Sequence, residues 1–154
     1  MQEWREVVER VQEELQSLQE EIDAVGPLLR KLTQVEPDEV EMRAAAATLH
    51  AFYSGVERLL LVIARRCDAS TPQSIRWHRE LLDQVALPTD SRPRVISSQL
   101  HSQLIEYLGF RHVFRHNYSG TLRWAQCVGL VQALEETCSR LQQEVLAFIE
   151  GYAD

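Results

Sequence analysis

From Ala45 to Cys67 the chain reads AAATLHAFYSGVERLLLVIARRC, with Ala45, Leu49, Phe52, Val56, Leu59, Ile63 and Cys67 recurring at steps of four and three. A helix turns once in about 3.6 residues, so that spacing gathers the apolar side chains into one stripe. Ser54-Gly55 interrupts it with almost no side chain, a spot where another backbone can come close. Two further stretches repeat the pattern: Trp4, Val8, Val11, Leu15, Leu18, Ile22 and Val25 near the start, and Cys127, Val131, Leu134, Cys138, Leu141, Val145, Phe148 and Tyr152 near the end. Narrow seams of this coiled-coil type pack helix against helix. The prolines at 27, 37, 72, 88 and 93 all fall between apolar-periodic stretches, where their missing donor does no harm. These boundaries predict five helices, roughly 2–25, 38–67, 72–86, 93–117 and 121–152. Gly26-Pro27 ends the first, and Asn117 to Gly120 ends the fourth. No stretch alternates with period two, so no sheet is expected. The predicted fold is an all-α, antiparallel bundle of about five helices, one domain over residues 1–154.

Composition fits that reading. At 154 residues, 45% apolar and 25% charged, the chain resembles an ordinary soluble domain with a sizeable core. Cys67, Cys127 and Cys138 lack metal-type spacing, and Cys67 and Cys138 sit on apolar helical positions, as free thiols in a reducing compartment do. No uninterrupted apolar run approaches membrane-spanning length, and Met1 to Glu6 is too acidic for a targeting peptide, so a cytoplasmic protein is expected. Trp4, Trp77 and Trp124 lie on or beside apolar faces and read as packing residues. His50, beside Leu49 and Phe52, and His78, before Leu81 and Leu82, read as structural histidines at the core edge.

The net charge of −7 argues against a protein that coats nucleic acid. Residues 1–41 hold twelve acids against four bases, a net of −8, whereas residues 92–123 hold Arg92, Arg94, Arg111, Arg115 and Arg123 against Glu106, a net of +4. His101, His112 and His116 fall in the same basic part. Such a region either grips one phosphate or is simply a solvated helix face.

Chemistry concentrates in Gly109-Phe110-Arg111-His112-Val113-Phe114-Arg115-His116-Asn117-Tyr118, at the end of the fourth helix. Arginine offers phosphate a fixed cationic fork, histidine moves protons near neutrality, and a tyrosine hydroxyl is a hydrogen-bonding and modification site. Other chemistries lack their signatures: no glycine-rich phosphate loop, no His-Glu-x-x-His, no Cys-x-x-Cys. His112 and His116, four apart, can share a helix face, but no third ligand of Asp, Glu or Cys type lies in the same turns; no metal and no cofactor are expected.

Arg111, four residues, His116, one residue, Tyr118 resembles the Arg-x4–6-His signature of the HEPN superfamily of small α-helical ribonucleases. More narrowly it is similar to the Arg-x4-His-x-Tyr motif of HepT toxins, partners of MntA nucleotidyltransferase antitoxins. Arg43 to His50 and Arg94 to His101 also fit Arg-x6-His, but positions 52 and 103 are Phe and Gln rather than Tyr. Phe52 to Arg58, Trp77 to Leu82 and Arg92 to Ile96 look like the same family, so the resemblance spans roughly residues 40–150. His112, directly after Arg111, departs from the family's usual polar residue and leaves His112 and His116 both eligible as the base.

The resemblance implies a metal-independent endoribonuclease toxin. His116 would take the ribose 2′-proton and Arg111 would stabilise the phosphate, with Arg115, His112 and Asn117 as auxiliary RNA-binding groups. It also implies neutralisation by AMP transfer to Tyr118 from the antitoxin, a homodimer with its cleft at the subunit junction, and RNA, most usually tRNA, as substrate. Two other readings remain: an inactive HEPN module that docks a nucleotidyltransferase, and a purely structural helical interaction protein. Helix geometry adds a constraint. At about 100° per residue, Arg111 and His116 diverge by about 140°. Either the helix loosens near Asn117 or two copies pool their groups about a two-fold axis. Tyr118 is open to a modifying enzyme in its short polar turn, or packs its ring over the helix end.

Overall fold

Asp38 begins the longest helix. Its carboxylate accepts from the Glu41 N–H at 2.8 Å while the Glu41 carboxylate accepts from the Asp38 N–H at 3.1 Å, a reciprocal box that satisfies two donors a helix start leaves over. Glu41 also receives Lys31 Nζ at 2.7 Å, which ties the preceding short helix to this one. The computed structural model describes residues 3–116 and 122–152. Among them the helices are α1 (Trp4–Ala24), α2 (Gly26–Lys31), α3 (Glu39–Cys67), α4 (Trp77–Val85), α5 (Ser98–His116) and α6 (Trp124–Gly151). No strand occurs among the described residues; one isolated bridge, Thr89 to Arg92, closes a turn. The all-α expectation holds.

α3 is the central element and packs against all five others. Its seam from Ala45 to Ile63 is buried, and only Cys67 is half-exposed. Cys127 and Cys138 are buried, and burial pushes each thiol up to about 11. By length and composition α3 is apolar enough to cross a membrane, yet 61% of its most apolar window is buried inside the bundle. At Gly55 an added Cβ would sit 2.5 Å from Leu18 Cδ2, so this is indeed where α1 and α3 draw together. On α1 the buried line is Val7, Val11, Leu15, Leu18 and Ile22, so Val7 takes the place expected of Val8. A straight helix drifts away from a strict 3.5-residue seam, and the residue that meets the core shifts by one at the far end.

Three boundaries differ from expectation. Gly26-Pro27 does not merely stop α1; it opens α2, where proline in the first turn has no helical hydrogen bond to lose. Helices start later than Pro72 and Pro93, at Trp77 and Ser98. After Pro93 the chain instead hooks under α4: the Val95 and Ile96 N–H groups both donate to the Val85 carbonyl, and both side chains are buried. Ser97 then receives the Leu100 N–H on its Oγ at 3.1 Å and donates to the Glu144 carboxylate, joining α5 to α6.

Arg92 is not part of a positive surface. Its side chain is fully buried, with Nε and Nη2 on the Asp68 carboxylate at 2.6 and 2.8 Å and further bonds to the Leu87, Pro93 and Gln84 carbonyls. A planar fork matched to one carboxylate and a ring of carbonyls clamps the loop between α4 and α5. His101 is likewise engaged, with Nε2 2.7 Å from Asp83. The basic surface therefore shrinks toward the end of α5.

Candidate functional site at the end of helix α5

α5 runs antiparallel to α3. Phe52 meets Tyr107 with ring centroids 5.2 Å apart, and His50 meets Phe114 at 4.9 Å. The Tyr107 hydroxyl donates to the Leu130 carbonyl at 2.8 Å, which holds the other side of α5 against α6, and burial pushes that phenol up to about 12. Phe110 is buried, and from there the helix emerges toward solvent through His116.

In these last turns the expected site residues divide by face. Arg111 is half-buried and Arg115 exposed, four residues apart on one side of the helix, and both charges act on His50 of α3. The His50 imidazole is held below its ordinary pKa, first by burial and then by Arg111 and Arg115, with Glu57 pulling the other way. Two turns of α3 thus present a polar line, His50, Tyr53 and Glu57, inside an otherwise apolar face. Tyr53 is fully buried and its hydroxyl has no hydrogen-bond partner among the described residues; burial and the Glu57 carboxylate strongly oppose its ionisation. Arg111 Nε is also covered and has no partner among the described residues. Glu57 is buried and engages His78 Nδ1, and the His78 ring stacks on Trp77 at 3.7 Å, so His78 serves as the structural core-edge residue expected of it.

His112 and His116 occupy the outward side. Both are exposed, their rings 4.2 Å apart. His116 Nδ1 donates to the His112 carbonyl at 2.9 Å. Because a carbonyl only accepts, Nδ1 carries a proton, and in the uncharged tautomer Nε2 is the nitrogen that can accept one. Among the described residues no third His, Cys, Asp or Glu side chain joins this pair. No hydrogen bond or ion pair joins Arg111 to either histidine among the described residues. α5 stays helical through His116, so the divergence of about 140° between Arg111 and His116 is kept within one chain. Asn117 and Tyr118 lie outside the described residues.

His50 packs on Phe114 at the core edge, as the sequence suggests, and the charges of Arg111 and Arg115 also reach it. The available signal was its place one turn before Tyr53 and two before Glu57, which puts three polar groups on one line. Next to it, a cavity of about 360 Å³ opens between Met42, Ala46 and Ala47 of α3, Phe114 of α5 and Leu122.

A family model described as "HepT-like protein" matches residues 44–152, well over half of the chain. The chain belongs to the HepT-like family. The match starts within α3 and includes α4, α5 and α6, hence the whole Arg111 to Tyr118 segment; α1 and α2 lie outside it. No curated protein and no solved structure matches the chain. In this HepT-like bundle, the cationic groups and the exposed imidazoles sit on the part of the molecule that the family shares.

Proposed function

We propose that this HepT-like protein is the toxin of a toxin–antitoxin pair and cleaves RNA by a mechanism that uses side chains alone. The observation that carries the reading is the end of α5, where two arginines form one face and His116, its Nδ1–H tied to the His112 carbonyl, presents Nε2 on the other. Family membership supports the toxin context. His116 Nε2 takes the proton from a ribose 2′-hydroxyl as the oxygen attacks phosphorus. Arg111, with Arg115, stabilises the charge that develops on the phosphoryl oxygens. The products are a 2′,3′-cyclic phosphate and a 5′-hydroxyl. Two chains meet about a two-fold axis so that Arg111 of one and His116 of the other face the same phosphate, and tRNA is the favoured substrate class. His112 tunes the polarity beside His116.

Silencing falls to an MntA-like nucleotidyltransferase antitoxin that transfers AMP from ATP to Tyr118. A phosphate two residues beyond His116 and three beyond Arg115 adds negative charge where RNA must bind and repels it.

The test is induction of the chain alone in a bacterial host, followed by incubation of the purified protein with total tRNA in EDTA. Growth arrest and fragments ending in cyclic phosphate are expected. Loss of cleavage in His116→Ala with retained cleavage in His112→Ala supports the assigned base; the reverse pattern moves the base to His112. An inert wild-type protein that nonetheless binds the antitoxin returns the docking-module reading. Tyr118→Phe keeps the ring and removes the acceptor oxygen, so it should cleave RNA and escape neutralisation. Full neutralisation of that variant by catalytically dead antitoxin overturns the AMP-transfer step.

A further inference from the structure

The cleavage step releases an alkoxide, and His116 accounts for only one of its two proton transfers. As the 2′-oxygen forms its bond to phosphorus, the P–O5′ bond breaks and O5′ must gain a proton. The groups on α5 leave that second role unassigned: Arg111 and Arg115 do not release protons near neutrality, and His112 shares the outward face with His116.

From its contact with Phe114, which also lines the neighbouring cavity, and its place on α3 facing the part of α5 that carries Arg111 and Arg115, we propose that His50 is the general acid that protonates the leaving O5′. The proposal rests on the ribonuclease reading above and deepens it. Geometry comes first. The antiparallel pairing of α3 with α5 delivers an imidazole to the arginine face of the same chain, whereas His116 points away from that face. His50 is half-buried, so it is fixed by packing yet reachable. The cavity lined by Ala46, Ala47, Phe114 and Leu122, with the paired Glu39 and Arg43 on its polar side, would give the nucleoside on the leaving side a partly apolar seat next to Phe114, the ring that His50 touches.

Electrostatics then supply a loading mechanism. The charged or titratable groups that act on His50 are Arg111 and Arg115 from α5 and Glu57 from its own helix. In the free chain, burial and the two arginines discourage its proton. A phosphodiester seated on those arginines brings a negative charge that offsets them, so substrate raises the proton affinity of His50 as it binds. The imidazole takes a proton from solvent, passes it to O5′ as the P–O5′ bond breaks, and ends neutral. His116 ends protonated, and the proton count closes. The Tyr53 hydroxyl, one turn along α3, and Arg111 Nε–H on α5 are both covered and have no hydrogen-bond partner among the described residues, so the region stays polar.

The test uses the full chain and an RNA carrying its mapped cleavage site in two forms, one all-oxygen and one with sulfur in place of the bridging 5′-oxygen. A thiolate leaves without needing a proton. His50→Ala and His50→Gln should each slow the all-oxygen RNA by about 100-fold or more, and cut the sulfur-bridged RNA within a few-fold of wild type. His116→Ala should slow both substrates alike. The glutamine variant keeps a polar head against Phe114, and thermal melts of both variants establish that the fold is intact. Added imidazole should restore part of the His50→Ala rate on the all-oxygen RNA. Equal slowing on the two substrates makes His50 a packing residue and overturns the proposal, as does an unchanged rate on both. A wild-type chain that cuts neither RNA removes the ribonuclease reading itself, and the His50 role falls with it.

Discussion

Arg92 and Arg111 are both sheltered arginines, and their partners decide what each can do. Arg92 spends its fork on Asp68 and three carbonyls, so its charge is cancelled inside the fold. Although burial alone would raise it, the Asp68 carboxyl is held below its ordinary value by hydrogen bonds from Arg92 and Gln84. Its stabilising contribution is therefore present above the unfolded-state pKa and is lost as pH falls through the lower folded value. Asp68→Ala leaves a buried guanidinium without its counter-ion and should cost about 3–5 kcal/mol in urea unfolding. An Asp68→Ala protein as stable as wild type would mean that the carbonyls alone satisfy Arg92. Arg111 differs because its Nε is covered and has no partner among the described residues. Arg111→Ala should therefore leave the melting temperature within a few degrees of wild type and remove RNA cleavage; a large loss of stability without loss of activity would reverse that assignment. Sequence position alone could not separate these two arginines. The partner of Arg92 lies 24 residues away, on the far side of a loop and a helix.

At the level of elements, the seams and prolines made most of the bundle readable, because both act through local geometry. Apolar steps of three and four mark a face whatever that face meets, and proline excludes itself from helix interiors. What escaped was decided by neighbours. α2 was absorbed into a turn because six residues carry too little periodicity to see. The residues after Pro93 form a hook rather than a helix because the Val85 carbonyl takes their N–H groups. Val7 displaced Val8 because a straight helix drifts from a strict 3.5-residue seam, and that drift accumulates toward the end of α1. The α1–α3 approach gives a test. Gly55→Val places branched carbon where Leu18 Cδ2 already sits, and should destabilise by about 1–3 kcal/mol. Leu18→Ala alone opens a void and should cost about 2–5 kcal/mol. Combined, the two should cost clearly less than their sum, since the alanine vacates the space the valine needs. Additive losses in chemical unfolding would show that α1 and α3 do not meet at Gly55.

For the whole molecule, the site was legible as a segment and illegible as a constellation. Arg111, Arg115, His112 and His116 all stand out from one stretch, but a linear motif cannot say that two of them face α3 and two face outward, nor that the inward two act on His50. That division makes assembly a question about mechanism. If one phosphate needs both Arg111 and His116, and one straight helix points them about 140° apart, the second group must come from another copy. Sedimentation of the 17.8 kDa chain at micromolar concentration should then give twice that mass. A sharper experiment mixes two dead chains, Arg111→Ala and His116→Ala, under conditions that let subunits exchange. In a shared site, each mixed dimer rebuilds one wild-type pair, the intact Arg111 of one chain facing the intact His116 of the other, while its second site lacks both. Random exchange makes half of the dimers mixed, so cleavage should return to about one quarter of the wild-type rate. Sites contained within single chains give no such recovery, because every chain in the mixture still lacks one of its own groups. A mixture as inert as its parents, with exchange verified by differently tagged chains, would place the whole reaction inside one bundle.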